Sequence, residues 1–166
     1  MPFRATIQLD SMEEQPIIHC DLRFRLPVNE NNRPVGRPTP DVIYVVMRSD
    51  LDSEFAFTIY SWCEQRGVKS GTIKFYKDDN TGVLKDLTFE EAFLIEYREV
   101  FDAEGTQTMR MHLTISAGTT SMCQGSGFLS DWVAERNADS NSSSSSSSSS
   151  SASGSSGSGV SSFDAS

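Results

Sequence analysis

The chain has 166 residues, of which 23 are acidic and 14 are lysine or arginine, so its formal net charge is −9. This balance argues against binding the phosphate backbone of DNA or RNA, because such binding needs clustered basic side chains. The first ten residues contain no apolar run typical of a secretory signal, and no stretch is apolar enough for a membrane span. We therefore expect a protein made in the cytoplasm, with neither nucleic acid nor membrane as a partner.

The first two predicted strands are amphipathic. Near the N-terminus, Phe3 to Asp10 alternates between apolar and polar residues. A second alternation places five residues on one apolar face: Ile18, Cys20, Leu22, Phe24 and Leu26. An alternation with period two predicts strands that are buried on one side only.

A long connection follows the second strand, from Pro27 to Pro40, with four prolines, one glycine and no periodicity. Connections of this length in a compact domain are usually functional or disordered. Two interpretations remain open: a floppy hairpin loop, or an arm that is stiffened by its prolines and reaches a neighbouring molecule with Arg33 and Arg37.

Four or five further strands and one helix are predicted downstream. The helix spans Glu54 to Gln65, where apolar residues follow a helical period, with Asp52 or Ser53 as N-cap and Gly67 as the stop. The strands are Val42–Met47, Thr72–Lys77, Val83–Phe89, Phe93–Phe101 and Met109–Ser116, and a hairpin turn at Asp78–Gly82 joins the second and third of these. Together they predict a mainly β protein, an antiparallel barrel or sandwich with one flanking α-helix.

The C-terminal part of the chain changes in composition. Trp132 is expected to dock a short C-terminal segment onto the body. Beyond it, residues 142–151 are all serine and a Gly/Ser mixture follows, which contains too few apolar residues to repay the entropy of ordering. We expect a domain over residues 1–136 and a disordered Ser/Gly-rich tail over residues 137–166.

No sequence pattern in the chain indicates a catalytic, cofactor or metal site. His19 and His112 lie on the polar faces of predicted strands, without metal-ligand spacing to other residues. Three scattered cysteines, Cys20, Cys63 and Cys123, predict reduced thiols rather than a disulfide framework. The glycines at positions 67 and 71 precede a strand rather than a helix, so they do not form a phosphate loop. We predict no catalytic, cofactor or metal site, and therefore no enzyme.

Six segments in order resemble the TssD branch of the hemolysin-coregulated tube proteins (Hcp) of type VI secretion systems. The resemblance covers residues 1–117 and leaves out the stretch from Gly118 to Trp132 and the serine tail. It rests on the start Met1–Asp10, His19-Cys20 on a strand, the loop Arg33–Pro38, Ser70–Lys77, Ala92–Tyr97 within Leu87–Phe101, and Leu113–Ala117.

This resemblance implies a two-sheet β-barrel like that of tail-tube proteins, in a subunit that forms homohexameric rings stacked as the inner tube. Its implied partners are further copies of itself, the sheath, spike and baseplate components, and effector cargo held in the lumen. The resemblance also implies export through the secretion apparatus without a cleaved signal peptide. It implies no cofactor. By position in the motif, the ring-stacking interface is carried by one run of the long loop: Asn29, Glu30, Asn31, Asn32, Arg33, Pro34, Val35, Gly36 and Arg37.

Two other functions fit the same sequence pattern. One is the tube protein of a phage-tail-like extracellular contractile injection particle, which would share nearly all of these features. The other is a monomeric β-barrel that binds a small molecule in its interior. The number of Phe, Leu and Ile residues on the alternating faces argues against the second, because they suffice to fill a small barrel.

Overall fold

The computed structural model describes residues 4–49, 53–77, 82–105, 109–123, 125 and 127–144. Within them it contains eight strands and two helices, in the order β1 (Ala5–Leu9), β2 (Gln15–Arg25), β3 (Thr39–Arg48), α1 (Ser53–Gln65), β4 (Lys69–Tyr76), β5 (Val83–Phe101), β6 (Met109–Ser116), β7 (Thr119–Met122), β8 (Phe128–Leu129) and α2 (Asp131–Ser144). The predictions for Phe3, Asp52 and the turn at residues 78–81 lie outside this part of the chain. No helix in it is long and apolar enough to cross a membrane.

The strands form a closed antiparallel barrel. Neighbouring strands follow the order β4-β1-β2-β3-β6-β5, and a pairing between β4 and β5 closes the circle. β7 continues along β5 beyond the end of β6, and β8 pairs with β7. The predicted mainly β barrel is confirmed, although the structure adds two short strands and a second helix that the sequence pattern did not indicate.

Strand β5 corrects one prediction. The sequence pattern predicted two strands, Val83–Phe89 and Phe93–Phe101, but the structure has one continuous strand of 19 residues. The apparent break is a bulge, because Gly71 and Lys69 of β4 pair with Phe89 and Ala92 of β5, and Glu91 between them has a φ of 50°. A bulge bends a strand and re-aims its side chains. The first half of β5 therefore pairs with β4 and β7, whereas its second half pairs with β6.

Strand β2 bends in the same way and corrects a second prediction. Its register against β3 shifts between Ile17 and His19, so Ile17 packs against the core while Ile18 is 45% exposed. Ile18 was predicted on the apolar face, as was Leu26, which lies beyond the end of β2 and is 44% exposed. Cys20 and Leu22 do pack against the core, as expected. A bulge moves every residue before it to the other face, which a strict alternation cannot reveal.

The two bulges divide the barrel into two sheets. The first, which we call the four-stranded sheet, consists of the second half of β2, β3, β6 and the second half of β5. The second consists of β1, β4, the first half of β5, β7 and β8. Fully buried side chains from both sheets fill the space between them, among them Ile7, Met47, Phe89 and Leu113.

Helix α1 contributes to the same core through the apolar face that its period predicted. Phe55, Ile59 and Trp62 are at most 2% exposed. The indole Nε1–H of Trp62 donates to the carbonyls of Gly67 and Ala92, at 2.9 Å and 3.2 Å, so the helix end is tied to β5. Gly67 was predicted to stop the helix, but the left-handed residue at this end is Arg66, with a φ of 51°.

Helix α2 docks through Trp132, as predicted. The Trp132 ring lies 5.6 Å from that of Phe93, and Val133 beside it is 3% exposed. A side chain at Gly118 would lie 3.0 Å from both Trp132 and Val133, so the chain backbone passes closely under this helix. Past Arg136 the helix continues to Ser144, first through the exposed Asn137 to Asp139, into the segment predicted as a disordered tail. Residues 145–166 lie outside the described part, and the domain boundary at residue 136 stays a prediction.

Candidate assembly surfaces

The loop between β2 and β3 is an ordered arm. We call residues 26–38 the arm; all of them are exposed. Val28 and Pro34 form a β-bridge, the Val35 amide donates to the Pro27 carbonyl at 2.8 Å, and the Asn29 amide donates to the Arg33 carbonyl at 2.9 Å. The structure gives this loop an ordered, hydrogen-bonded backbone, and a contact of the arm with a neighbouring molecule stays a prediction.

Asn29 closes the tip of this arm. Its side-chain Oδ1 accepts hydrogen bonds from the amides of Asn31 and Arg33, both at 3.0 Å. Such an Asx turn replaces backbone pairing at a reversal of the chain. Asn32 and Gly36 take positive φ values of 56° and 75°, which asparagine and glycine tolerate best.

The side chains of the arm point away from the protein. Leu26, Val28 and Val35 are 43% to 57% exposed. The guanidinium groups of Arg33 and Arg37 make no hydrogen bond or ion pair with any residue that the structure describes. An arm with a fixed backbone, exposed apolar groups and unengaged cations has the composition of an interface.

The four-stranded sheet has two open edges. β2 from Ile18 to Arg25 pairs with β3 on one side only, because β1 reaches only Gln15 to Ile17. On the opposite side of the sheet, β5 from Phe93 to Phe101 pairs only with β6. Each edge carries an exposed isoleucine at a bulge, Ile18 on β2 and Ile95 on β5, the latter 56% exposed. Open edges present unpaired backbone groups that can bind another strand.

The outward face of this sheet carries polar side chains around Val46, and most of its charged residues are basic. Ile43, Val45 and Met47 of β3 point into the core, so the alternate residues Tyr44, Val46 and Arg48 point outward, although Val46 is only 6% exposed. Tyr44 and His112 are hydrogen-bonded through the phenol and Nδ1, and the His19 ring lies 6.0 Å from that of Tyr44. The pKa of His112 is lowered, first by burial and then by Arg98 and Arg110, with Glu96 acting in the opposite direction.

On the opposite surface of the barrel, around the β1–β2 connection, the carboxylates bind groups of the same barrel. Glu14 accepts hydrogen bonds from the hydroxyls of Thr6 and Tyr76, at 2.9 Å and 2.8 Å, and from the Lys74 ammonium. These bonds, that of Lys74 first, lower the pKa of Glu14 to about 2 and raise that of Lys74. Burial raises the pKa of Asp10, but hydrogen bonds from Lys69 and Ser70 outweigh it, so the net shift is downward.

Residue types that form metal or catalytic sites in other proteins do not cluster in the described part of this chain. In the described ranges no three His, Cys, Asp or Glu residues converge as metal ligands. Cys20, Cys63 and Cys123 are free thiols, and burial raises the pKa of Cys20 to about 11, so this thiol stays neutral. The turn between Gly67 and Gly71 leads from α1 into β4, as expected.

Two cavities of about 310 and 220 Å³ lie beside the open edge of β2, and both are lined by Cys20, Phe75 and Lys85. The larger cavity is lined from both sheets, by Leu22 on one and Leu87 on the other, whereas fully buried side chains such as Ile73 and Ile115 fill the space deeper in the barrel. These filled positions disfavour a small-molecule site deep in the barrel, one of the two alternatives above.

Sequence reasoning found the arm but missed the edges and the basic face. The basic face had a visible signal, since Arg110 and His112 are alternate residues on the polar side of a predicted strand. The open edges had none, because they depend on which strands pair.

Comparisons with known proteins agree with this architecture. The family described as hemolysin coregulated protein Hcp (TssD) matches residues 1–133. Among solved structures, Hcp1 from Flavobacterium johnsoniae is 23% identical, with a TM-score of 0.66, and the alignment covers 76% of this chain and 98% of that one. Hcp1 from Salmonella typhimurium is 12% identical, with a TM-score of 0.58, covering 77% and 92%.

A type VI secretion system effector from Yersinia pestis is also similar, at 9% identity and a TM-score of 0.56, with 71% of this chain and 87% of that one covered. No curated protein matches the chain. At these identities the solved structures establish the fold, while the family match extends over most of the sequence and confirms the resemblance drawn from the six segments. The chain belongs to the Hcp (TssD) family, the structural tube proteins of type VI secretion, which are not enzymes.

Proposed function

We propose that the chain assembles as hexameric rings that stack into the inner tube of a type VI secretion system. The observation that carries the ring is the pair of open edges on opposite sides of the four-stranded sheet. Successive strands of this sheet are antiparallel, so β5 of one copy can pair with β2 of the next and continue the alternation. A contact between two different edges is heterologous, and heterologous contacts generate rings when the rotation closes.

Stacking of the rings is assigned to the arm, at Asn29 to Arg37. Its support is the exposed apolar and cationic side chains on a backbone that is already fixed, which reduces the entropy lost on binding. The family supplies the number six, the contact with sheath, spike and baseplate components, and effector cargo in the bore. Synthesis in the cytoplasm and export through the apparatus follow from the same assignment.

The experiment that tests the ring compares two single variants in the full-length protein. Ile95→Asp places a charge at the open edge of β5, whereas Phe57→Asp changes an equally apolar side chain that is 70% exposed on α1. Native mass spectrometry should give a ring several times the monomer mass for the unchanged protein and for Phe57→Asp, and a folded monomer for Ile95→Asp. A protein that stays monomeric at every concentration would overturn the proposal and favour a monomeric barrel.

Stacking is tested separately with Arg33→Glu combined with Arg37→Glu. We expect rings of unchanged mass but no tubes in negative-stain micrographs, because the reversed charges remove charge-assisted contacts from the arm. Tubes as long as those of the unchanged protein would remove the arm from the stacking interface.

A further inference from the structure

The smaller of the two cavities beside the open edge of β2 combines apolar and basic side chains. It has a volume of about 220 Å³ and lies where β1 leaves β2. Its apolar lining includes Phe75, Ile18 and Leu84, and the last two are 45% and 55% exposed. Its charged lining residues, Arg4 and Lys85, are both basic, although the chain has a net charge of −9. The cavity therefore suits an apolar group that is followed by a carboxylate.

The two cations of this cavity have no carboxylate partner. The Arg4 guanidinium lies 4.5 Å from the centre of the Tyr76 ring, and the Lys85 ammonium lies 4.8 Å from that of Phe75. Neither side chain makes a hydrogen bond or ion pair with a residue that the structure describes. The larger cavity differs in having two acidic lining residues, Asp21 and Asp86. A carboxylate is therefore better accommodated in the smaller cavity.

A segment of matching composition occurs in the chain itself, beyond α2. Residues 145–166 are mostly serine and glycine; their large apolar residues are Val160 and Phe163, and their charged residue is Asp164. These three lie within five positions of one another. Apolar side chains gain free energy when they leave water. A cavity of about 150 Å³ accommodates a benzene ring, so the smaller cavity has room for the Phe163 ring.

We propose that residues 160–164, which we call the tail segment, bind in the smaller cavity of the same chain. Phe163 packs against Phe75 and Leu84, and Asp164 lies beside Lys85. The linker of residues 145–159 extends to at most about 50 Å, which exceeds the diameter of about 35 Å expected for a domain of this size. Such a tether also holds the segment at an effective concentration in the millimolar range, so a weak contact suffices.

The bound tail segment covers Ile18, at the start of the open edge of β2. Proteins commonly cover open edges, because these edges pair with other chains. In the ring proposed above, β5 of the next copy pairs with the same edge. The tail segment and the next copy therefore compete, and ring formation requires release of the segment. This consequence rests on the proposed ring, whereas the binding itself does not.

The reactivity of Cys20 tests the binding, because its half-buried thiol lines the cavity. Iodoacetamide labelling, mapped by mass spectrometry, is measured in full-length protein carrying Ile95→Asp, so that no neighbouring strand covers the edge. Val160→Ser with Phe163→Ser should speed the labelling of Cys20 about fivefold, which corresponds to a segment that is bound about four-fifths of the time. The control, Ala152→Ser with Ala165→Ser, should change the rate less than about twofold, since methyl groups bury little apolar surface.

Three results would overturn the binding. The first is an equal Cys20 rate with and without the apolar residues of the tail segment. The second is an equal acceleration at Cys63, which packs against the core, because that would indicate a loosened barrel. The third is a Cys20 rate that falls as the protein concentration rises, because the segment would then bind a second copy.

A charge exchange tests the position of Asp164. Asp164→Lys should speed the labelling of Cys20 about twofold, because an exposed ion pair contributes little. The same change in a Lys85→Glu background should slow it, since a lysine then meets a carboxylate. Each comparison keeps residue 85 constant, so the effect of that residue on the pKa of Cys20 cancels. Acceleration in both backgrounds would overturn the contact between Asp164 and Lys85.

Competition with the ring is measured without Ile95→Asp. In native mass spectrometry, Val160→Ser with Phe163→Ser should form rings at about fivefold lower protein concentration than the unchanged chain, because all copies are then competent to assemble. Rings at equal concentrations would contradict the competition. The absence of rings in every variant would contradict the proposed function, whereas the Cys20 rates would still decide the binding of the tail segment.

Discussion

The β1–β2 connection and the β2–β3 connection lie at the two ends of the same strand, yet they use their polar groups in opposite ways. The first is short, and its carboxylates at Asp10 and Glu14 bind groups of β1 and β4. The second is the arm, whose hydrogen bonds stay within the arm and whose side chains point outward. A loop bound to its own barrel stabilises the monomer, whereas a loop bound only to itself is free to contact another molecule.

The largest expected effect concerns the strand on which the β1–β2 connection rests. A side chain at Gly71 of β4 would lie 2.5 Å from the Phe89 ring and 2.6 Å from the Gln8 carbonyl oxygen. We expect Gly71→Ala to lower the free energy of unfolding by about 1–3 kcal/mol, because backbone and ring must both move. Urea denaturation measures this. Gly67→Ala is the control, since nothing lies within 4 Å of a side chain there; an equal loss at Gly67 would contradict the explanation by close packing.

Glu14→Gln directly tests the hydrogen bonds of the β1–β2 connection. It removes the acceptor charge that Thr6, Lys74 and Tyr76 share, and we expect a loss of about 1 kcal/mol at neutral pH, discounted for partial exposure. The pKa of Glu14 is lowered from 4.5 to about 2, so its contribution is complete above pH 4.5 and is lost as the pH falls through about 2. The difference between the two proteins in urea denaturation should therefore shrink between about pH 5 and pH 2.

The matched change on the arm is Glu30→Gln. Glu30 is exposed, and we expect its replacement to alter the free energy of unfolding by less than about 0.5 kcal/mol. A pH-dependent loss at Glu30 as large as that at Glu14 would remove the contrast between the two connections.

The smallest effect on the monomer is expected for Asn29→Ala. The change removes the two hydrogen bonds at the tip of the arm, so hydrogen exchange at the amides of Asn31 and Arg33 should accelerate. Because the arm does not pack on the barrel, the thermal unfolding midpoint should hardly move. Asn31→Ala is the control, since its backbone amide still donates to Asn29. A midpoint lowered as much as by Glu14→Gln would show that the arm also stabilises the barrel.

Much of the fold could be predicted because alternation records which residues are buried. α1, β1, β6 and the core positions Ile7, Ile59 and Leu113 followed directly from periodicity. The failures at Ile18 and at the middle of β5 share one cause, since a bulge shifts the period by one residue without any compositional mark. Helix α2 was missed because residues 137–144 contain Ala138 as their one apolar residue, so the sequence shows no apolar helical period there.

Of the candidate assembly surfaces, likewise, only some could be predicted from the sequence. The arm was visible as a long aperiodic segment rich in proline, because such a segment contrasts with the strands around it. The open edges were invisible, because pairing between Leu22 and Ile43, or between Tyr97 and Leu113, is a relation between distant parts of the chain. Residue types limit which surface can contact a partner, but strand order decides which surface is left open.

Strand β5 belongs to both layers, and this shared strand affects how the barrel transmits a mechanical load. Through the bend at Glu91 a single covalent backbone passes from the second sheet into the four-stranded sheet. The layers cannot slide past one another without breaking the ladder on one side of that bend. A tube wall made of such subunits would resist shear along its axis, as a load applied to one surface is passed to the other through a strand rather than through side-chain packing alone.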